Sequence, residues 1–307
     1  MHTAGEPLLI DLNFQGHPNV IASWLVKGAD GWTIVDCGPE SCRAELEAGV
    51  AAHGLEMADI TRIVLTHIHL DHGGGTGALL REYPHLRVSV HRDAAGILAD
   101  PSRLVRSATI SYGDAMNTLW GEVVPVDAAR IDPVAPGDTV AGTSLRAIAT
   151  PGHTATHLGY LETNTGVLFT GDAAHARLSG SSVIVPTLSP VEVDIVAWRT
   201  TAKTMRDLAP SALALPHFGL VHDAASHLAL IEERIDSRMD IAAGIVRTPD
   251  DADSLAAALV DVTRREFESD GGDVETNIAT MELCMPSWLG AQGILRWYKV
   301  HGKFEKI

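Results

Sequence analysis

Residues 66–74 read THIHLDHGG, and they constrain the chain more than any other stretch. Three histidines and an aspartate fall between positions 67 and 72, directly after the apolar run ITRIVL at 60–65. That run is short, β-branched and ends at a loop, which predicts a buried strand. The glycines behind it let the backbone turn tightly before a helix. Neutral imidazoles and a carboxylate are the ligands a divalent metal such as zinc takes. In extended backbone alternate residues point the same way, so His67 and His69 can converge on one ion. Asp71 and His72 then lie beside that ion, where they can hold a second. Packing alone does not call for so dense a cluster at the end of a strand.

Three later stretches repeat the arrangement. TPGHTATH at 150–157 follows a strand-like run and carries His153. VLFT at 167–170 leads into Gly171-Asp172, and ALAL at 212–215 delivers Pro216-His217. Each candidate ligand has Gly, Pro or Thr beside it. Ligands on loops at one edge of a rigid sheet can meet at a point.

The remaining chain supplies the scaffold for such an edge. Residues 20–26 and 32–36 predict a hairpin around Gly-Ala-Asp-Gly. A helix is expected over 40–53, with Gly54 placed to cap it. Helix 77–83 and strand 87–91 follow, then strands at 123–126 and 145–149. Residues 158–162 and 167–170 predict paired strands, 190–208 a helix with Pro190 near its start, and 212–215 a strand. Residues 93–121 predict a helical excursion over the sheet edge, serving either as a substrate lid or as a packed helix pair. Beyond Val221 strand signals stop, and helices are expected at 225–242, 254–269 and 274–300, with a break near Pro286. This predicts a metal-binding body over residues 1–222 and a helical extension over 223–307. Met281, Met285, Trp288, Trp297 and Tyr298 in that extension suit a core or an interface. Such a tail offers a surface for a homodimer.

Composition limits the partners. The 307 residues are 46% hydrophobic, enough for a sizeable core. Lys and Arg number 23 against 39 Asp and Glu, a formal charge of -16 that repels phosphate backbones. A general nucleic-acid binder is therefore not expected. Cys37, Cys42 and Cys284 form no CxxC pair, which fits a reducing cytoplasm. The N-terminal residues lack the pattern of a signal peptide, and no apolar run is long enough to span a bilayer. The expected setting is cytoplasmic, with a small-molecule substrate and no membrane contact.

THIHLDH, TPGHT, the Gly-Asp after VLFT and the late Pro-His together resemble the metallo-β-lactamase fold superfamily, over positions of roughly 18–222. The resemblance implies an α+β four-layer αββα sandwich: two mixed sheets face to face, helices outside, a metal site at one edge. A helical C-terminal appendage is added here. Carried onto this chain, the resemblance implies a first metal on His67, His69 and His153, and a second on Asp71, His72 and His217. Asp172 would bridge the two. Two divalent ions about 3.5–4 Å apart would then share a hydroxide. Zinc suits the nitrogen-rich set, while manganese or iron would bind the same residues.

The chemistry this implies is hydrolysis of a carboxylic ester, thioester or lactone, with Asp71 placed to relay a proton. The motif order and the helical C-terminal region resemble the glyoxalase II-like branch. Typical hydroxyacylglutathione hydrolases carry a THHH-type motif, whereas this chain has THIH and then Ala173-Ala-His-Ala-Arg177. Related acyl-homoserine lactonases commonly place a substrate-orienting tyrosine three residues after the bridging aspartate. Here His175 stands at that place and is the expected substrate-binding residue. The alternatives within the superfamily are a persulfide dioxygenase with a single iron and a phosphodiesterase or nuclease. The latter needs a basic route for its substrate, which the charge does not favour. β-Lactam hydrolysis is disfavoured, since those enzymes are usually exported. A non-catalytic binding module would show lost ligands, and none is lost here.

Overall fold

The computed structural model describes residues 5–188, 193–247 and 251–301. Leu8–Asp11 (β1), Ala22–Lys27 (β2), Trp32–Val35 (β3), Ile60–Val64 (β4), Arg87–His91 (β5) and Ile131–Val134 (β6) form one sheet in that order. β1, β2 and β3 pair antiparallel, and β3 to β6 pair parallel. Leu145–Ala149 (β7), Leu158–Glu162 (β8), Val167–Phe169 (β9), Ala212–Leu215 (β10) and Gly219–Val221 (β11) form a second sheet in the order β11-β10-β9-β8-β7. There β9 and β10 are parallel neighbours, joined by a long helical crossover.

Alternation along the strands decides which layer each side chain enters. Trp24 and Val26 of β2, Val35 of β3 and Val64 of β4 face the second sheet, where they meet Leu145, Ala147, Tyr160, Phe169 and Ala214. Their neighbours Leu25, Ile34 and Ile63 point the other way, into a core with Leu46 and Val50 of Arg43–Ala52 (α1). Leu79 and Leu80 of Thr76–Glu82 (α3) join that core; between α1 and α3 lies the one-turn helix Leu70–Gly73 (α2). On the far side Leu168, Leu213 and Leu215 face outward onto the crossover helix and the C-terminal helices. Three apolar layers between four structural layers make the expected αββα sandwich.

The excursion at 93–121 is helical: Ala95–Ala99 (α4), Ser102–Tyr112 (α5) and Met116–Trp120 (α6). The crossover between the parallel strands of the second sheet is Ile195–Leu208 (α7). The helix expected from Pro190 is thus present from Ile195; Pro190 itself lies outside the described residues. Ala224–Ile245 (α8), Ala252–Asp270 (α9), Val274–Cys284 (α10) and Ser287–His301 (α11) follow, with the break at Pro286. Ile231, Ile235, Leu255, Leu259, Ile294 and Trp297 from these helices share one core with α7 and the outer face of the second sheet. Met281 and Trp297 are buried within the chain's own interior. No helix among the described residues is long and apolar enough to cross a membrane.

One expectation is corrected, and two edge strands are added to those expected. Residues 123–126 are not a strand; they run as an extended connection, and the sheet is completed instead by β6. Pro133 lies within β6, which argues against a central strand, but β6 occupies the edge, where a missing N–H is tolerated. β1, a short strand that the sequence pattern does not announce, closes the opposite edge.

Candidate metal centre

The two sheets are sewn together where β4 ends. Leu158 N donates to Thr66 O at 2.8 Å, Ala22 N to Pro216 O at 2.7 Å, and the Tyr160 hydroxyl to Leu65 O at 3.0 Å. These bonds fix the ligand-bearing loops of both sheets against each other. His67 and His69 lie in the loop from β4 to α2, and Asp71 and His72 lie on α2. His153 comes from the loop between β7 and β8, and His217 from the turn between β10 and β11. Asp172 is on the 3₁₀ turn Gly171–Ala174 after β9.

All seven expected ligands come together. Ligand atoms of His67, His69 and His153 lie within 4.8 Å of one another, as do those of His67, His72 and Asp172, and of Asp71, His72 and His217. His69 Nδ1 and His153 Nε2 face each other at 2.9 Å. Asp172 divides its carboxylate. Its Oδ2 stands 3.2 Å from His153 Nε2, while Oδ1 stands 3.4 Å from His72 Nε2 and 3.5 Å from His217 Nε2. Asp71 Oδ2 is 3.4 Å from His72 Nε2 and 3.5 Å from His217 Nε2.

The outer nitrogens of four of the histidines are tied down, which settles their tautomers. His72 Nδ1 donates to Asp36 Oδ2 at 3.0 Å, His153 Nδ1 to Thr187 O at 2.7 Å, and His217 Nδ1 to Val20 O at 2.9 Å. His67 Nδ1 donates to the Thr66 hydroxyl at 3.1 Å, which in turn donates to Asp36 Oδ2 at 2.7 Å. Each Nε2 is thereby left with its lone pair directed inward. His67 Nε2 and Asp172 Oδ1 are buried without a hydrogen bond. Such orphaned acceptors are costly unless a cation meets them.

The electrostatics agree with a cation. Burial, with the neighbouring imidazoles, holds His67 well below its ordinary pKa and takes His69 down to about 3, so both are neutral donors of a lone pair. Burial opposes charge on His72 as well, yet Asp71 and Asp172 against it hold its pKa well above the usual value. Burial would raise both carboxyls, but the surrounding histidines keep Asp71 and Asp172 ionised. The pocket therefore asks for positive charge, which a divalent metal fits.

The backbone around Asp172 requires glycine. Gly171 has φ +48°, and a Cβ there would stand 2.5 Å from His157 Nε2 and 2.8 Å from Thr66 Cβ. Gly152 of TPGHT has φ +138°, with a Cβ position 2.6 Å from the Trp198 side chain. Trp198 is fully buried beneath the centre and donates from its indole to Ala173 O at 2.7 Å.

His175 is not placed as a substrate-binding residue would be. It does not line the cleft beside the centre. Its φ of +66° turns it inward, where its ring lies 4.9 Å from that of Trp198 and its Nδ1 3.5 Å from the Thr187 hydroxyl. Burial takes its pKa down to about 3, as for a neutral packed histidine. Sequence reasoning also missed Asp36, which the structure places behind two ligands at once. The hint was an aspartate closing a strand just before Cys37-Gly38; its φ is +55°. His157, the last residue of TPGHTATH, accepts the Asp172 backbone N–H on Nε2 at 3.1 Å and faces the Thr150 hydroxyl at 2.7 Å.

A cleft of about 1090 Å³, counting its open mouth, leads to His69, Asp71, His153 and Asp172. One wall is α5, whose Leu104, Ser107, Ala108, Ser111 and Tyr112 recur at helical spacing. The opposite wall comes from the C-terminal helices through Leu259, Met285 and Leu289. Tyr112 packs edge-on against Trp120 and Trp288, with ring centroids 5.1 and 5.9 Å away. The excursion at 93–121 thus closes over the centre as one side of its entrance.

Known proteins share this plan. The chain is 31% identical over 219 residues to the metallo-beta-lactamase fold-containing protein ST1585 of Sulfurisphaera tokodaii, covering 67% of this chain and 81% of that protein. It is 32% identical over 149 residues to a hydroxyacylglutathione hydrolase of Aeromonas hydrophila, covering 48% of this chain and 44% of that one. An atrochrysone carboxyl ACP thioesterase of Aspergillus fumigatus is 27% identical over 56% of this chain and 31% of its own length. The crystal structure of the metallo-beta-lactamase family protein TTHA1429 from Thermus thermophilus superposes with a TM-score of 0.68 at 20% identity. The match covers 96% of this chain and 94% of that one. The sequence model of the metallo-beta-lactamase superfamily matches residues 17–217, a span that begins ahead of β2 and ends on the last candidate ligand. Sandwich, ligand order and sequence match coincide, and the chain belongs to the metallo-beta-lactamase superfamily.

Proposed function

We propose that the chain is a dinuclear metal-dependent hydrolase of a carboxylic ester, thioester or lactone. The observation that carries this reading is the divided Asp172 carboxylate, with one oxygen toward His153 and the other toward His72 and His217. His67, His69 and His153 would hold one ion, and Asp71, His72 and His217 would hold the other. Divalent metal in these sets supplies Lewis acidity and a hydroxide at neutral pH. Zinc is the favoured ion on ligand chemistry.

The chain's own residues do the rest. Asp36 and Thr66 orient the ligand imidazoles, and His157 holds the backbone of Asp172. Asp71 is the more exposed carboxylate, 19% against 3% for Asp172, and it lines the cleft. We assign it the proton transfer. The body over 1–222 then supplies the chemistry, and the extension over 223–307 shapes the entrance. The relatives named as a thioesterase and a hydroxyacylglutathione hydrolase support an acyl substrate.

The test is a turnover screen of the metal-analysed protein over thioesters, aryl esters, lactones and phosphodiesters. Two divalent ions per chain and acyl hydrolysis are expected. One iron per chain with oxygen uptake on a persulfide would overturn the reading.

A further inference from the structure

Beyond the metal centre, the cleft carries little charge to recognise. Apart from the ligands Asp71 and Asp172, the one charged side chain lining it among the described residues is Arg238. Arg238 is nearly fully buried and tied to Glu266, a carboxylate it shares with Arg234: Nη1 donates to Glu266 Oε1 at 2.6 Å and Nη2 to Glu266 Oε2 at 2.5 Å. That bidentate pair, with a further Nη2 contact to the Thr263 hydroxyl at 3.4 Å, holds the guanidinium in place within the helical extension. The rest of the lining is uncharged apart from the metal-centre histidines, with the apolar Leu104, Leu188, Leu259, Met285 and Leu289 beside the hydroxyls of Ser107, Ser111, Thr263 and Ser287. These residues come from both walls, so a ligand between them is enclosed rather than laid on a flat patch.

We propose that this cleft holds an uncharged, extended acyl chain whose ester or thioester carbonyl lies at the metals. The proposal rests on the hydrolase reading above and adds its substrate class: apolar acyl derivatives. A thiol peptide bearing several carboxylates would bring charges that, away from the metals, meet only the Glu266-bound Arg238 among the described lining residues. An aliphatic chain gains instead about 0.8 kcal/mol for each methylene it buries, or about fourfold in apparent affinity. The half-buried Met285 and Leu289, in the turn and first helical turn after α10, form the part of the wall most open to substitution.

The experiment uses the full-length, metal-loaded protein. Thioesters of N-acetylcysteamine, from acetyl to decanoyl, present one neutral leaving group with a growing chain. Expected is a rise in kcat/KM of about fourfold per methylene until the cleft is filled. Met285→Glu should flatten that slope at unchanged metal content; Leu289→Glu serves the same purpose if the first variant does not fold. In parallel, octan-1-ol is titrated against intrinsic tryptophan fluorescence, a readout independent of turnover. Saturable binding that Met285→Glu weakens about tenfold or more is expected, the equivalent of losing two buried methylenes. Turnover with no chain-length dependence, together with no octanol binding, overturns the acyl-cleft proposal and leaves the hydrolase reading standing. Saturable octanol binding without hydrolysis of any ester or thioester does the reverse.

Discussion

Asp36 accepts a hydrogen bond from Nδ1 of His72 at 3.0 Å, across 36 residues of sequence. The same carboxylate takes the Thr66 hydroxyl at 2.7 Å and the Thr66 N–H at 2.8 Å. One buried side chain therefore sets the ring of His72 directly and that of His67 through Thr66. Partners of this kind are worth about 10–100-fold in metal affinity. Asp36→Asn should weaken the more labile ion by about that factor while keeping the fold. Titration against a competing chelator measures it, and wild-type affinity in the variant would refute the role.

Removing metal should cost stability as well as activity. The centre gathers two carboxylates against buried imidazoles, and an ion bound only by the folded state stabilises it by mass action. At a hundred times Kd the gain is about 2.7 kcal/mol. Chelated protein should melt several degrees lower, and stoichiometric zinc or manganese should restore both melting temperature and turnover. Equal melting temperatures with and without metal would count against the site.

Gly171 is the backbone position that admits least change. Its φ of +48° strains any side chain, and a Cβ would meet His157 Nε2 at 2.5 Å. Gly171→Ala should destabilise the chain by about 1–3 kcal/mol and displace Asp172 with it. Denaturant unfolding and metal content measured on one preparation should fall together. A stable variant that binds metal normally would show that the turn adapts.

Acid sensitivity should be readable at Asp132 on the edge strand β6. Hydrogen bonds from Arg87, joined by Arg62, hold its carboxyl below the ordinary carboxylate range. A depressed folded pKa contributes stability that is present above the unfolded value of about 3.9. That contribution is lost as pH falls through the lower folded value. The side chain is 31% exposed. Solvent screening therefore limits the effect to about 1 kcal/mol or less. Asp132→Asn should lower the melting temperature at pH 7, and the difference from wild type should close below about pH 4. A difference that persists to lower pH would point to packing instead.

The convergence of the candidate ligands is legible in the sequence because their loops follow apolar, strand-like runs. His67, His153 and His217 needed no tertiary information beyond that. Asp36 was not legible: an aspartate closing a strand is common, and its partners lie 30 and 36 residues downstream. His175 failed for a local reason. Nearness in sequence to Asp172 suggested nearness to substrate, but one residue in the left-handed region reverses the side chain's direction. The edge strands β1 and β6 escaped notice because edges tolerate polar residues and proline. The α5 stripe through Leu104 and Tyr112 can be read as a helix face, but the sequence does not say that Leu259 and Met285 stand opposite.

The ligand set spans positions 67 to 217, and its last member sits beyond β10, a strand that must dock beside β9 after a long crossover. A ribosome-bound chain therefore carries THIHLDH well before it can present His217. Until that docking is complete, an early ion meets only part of its coordination sphere. The complete set of candidate ligands therefore exists only once the second sheet has docked. A pulse-labelled chain should acquire chelator-resistant metal in step with protease resistance of the second sheet.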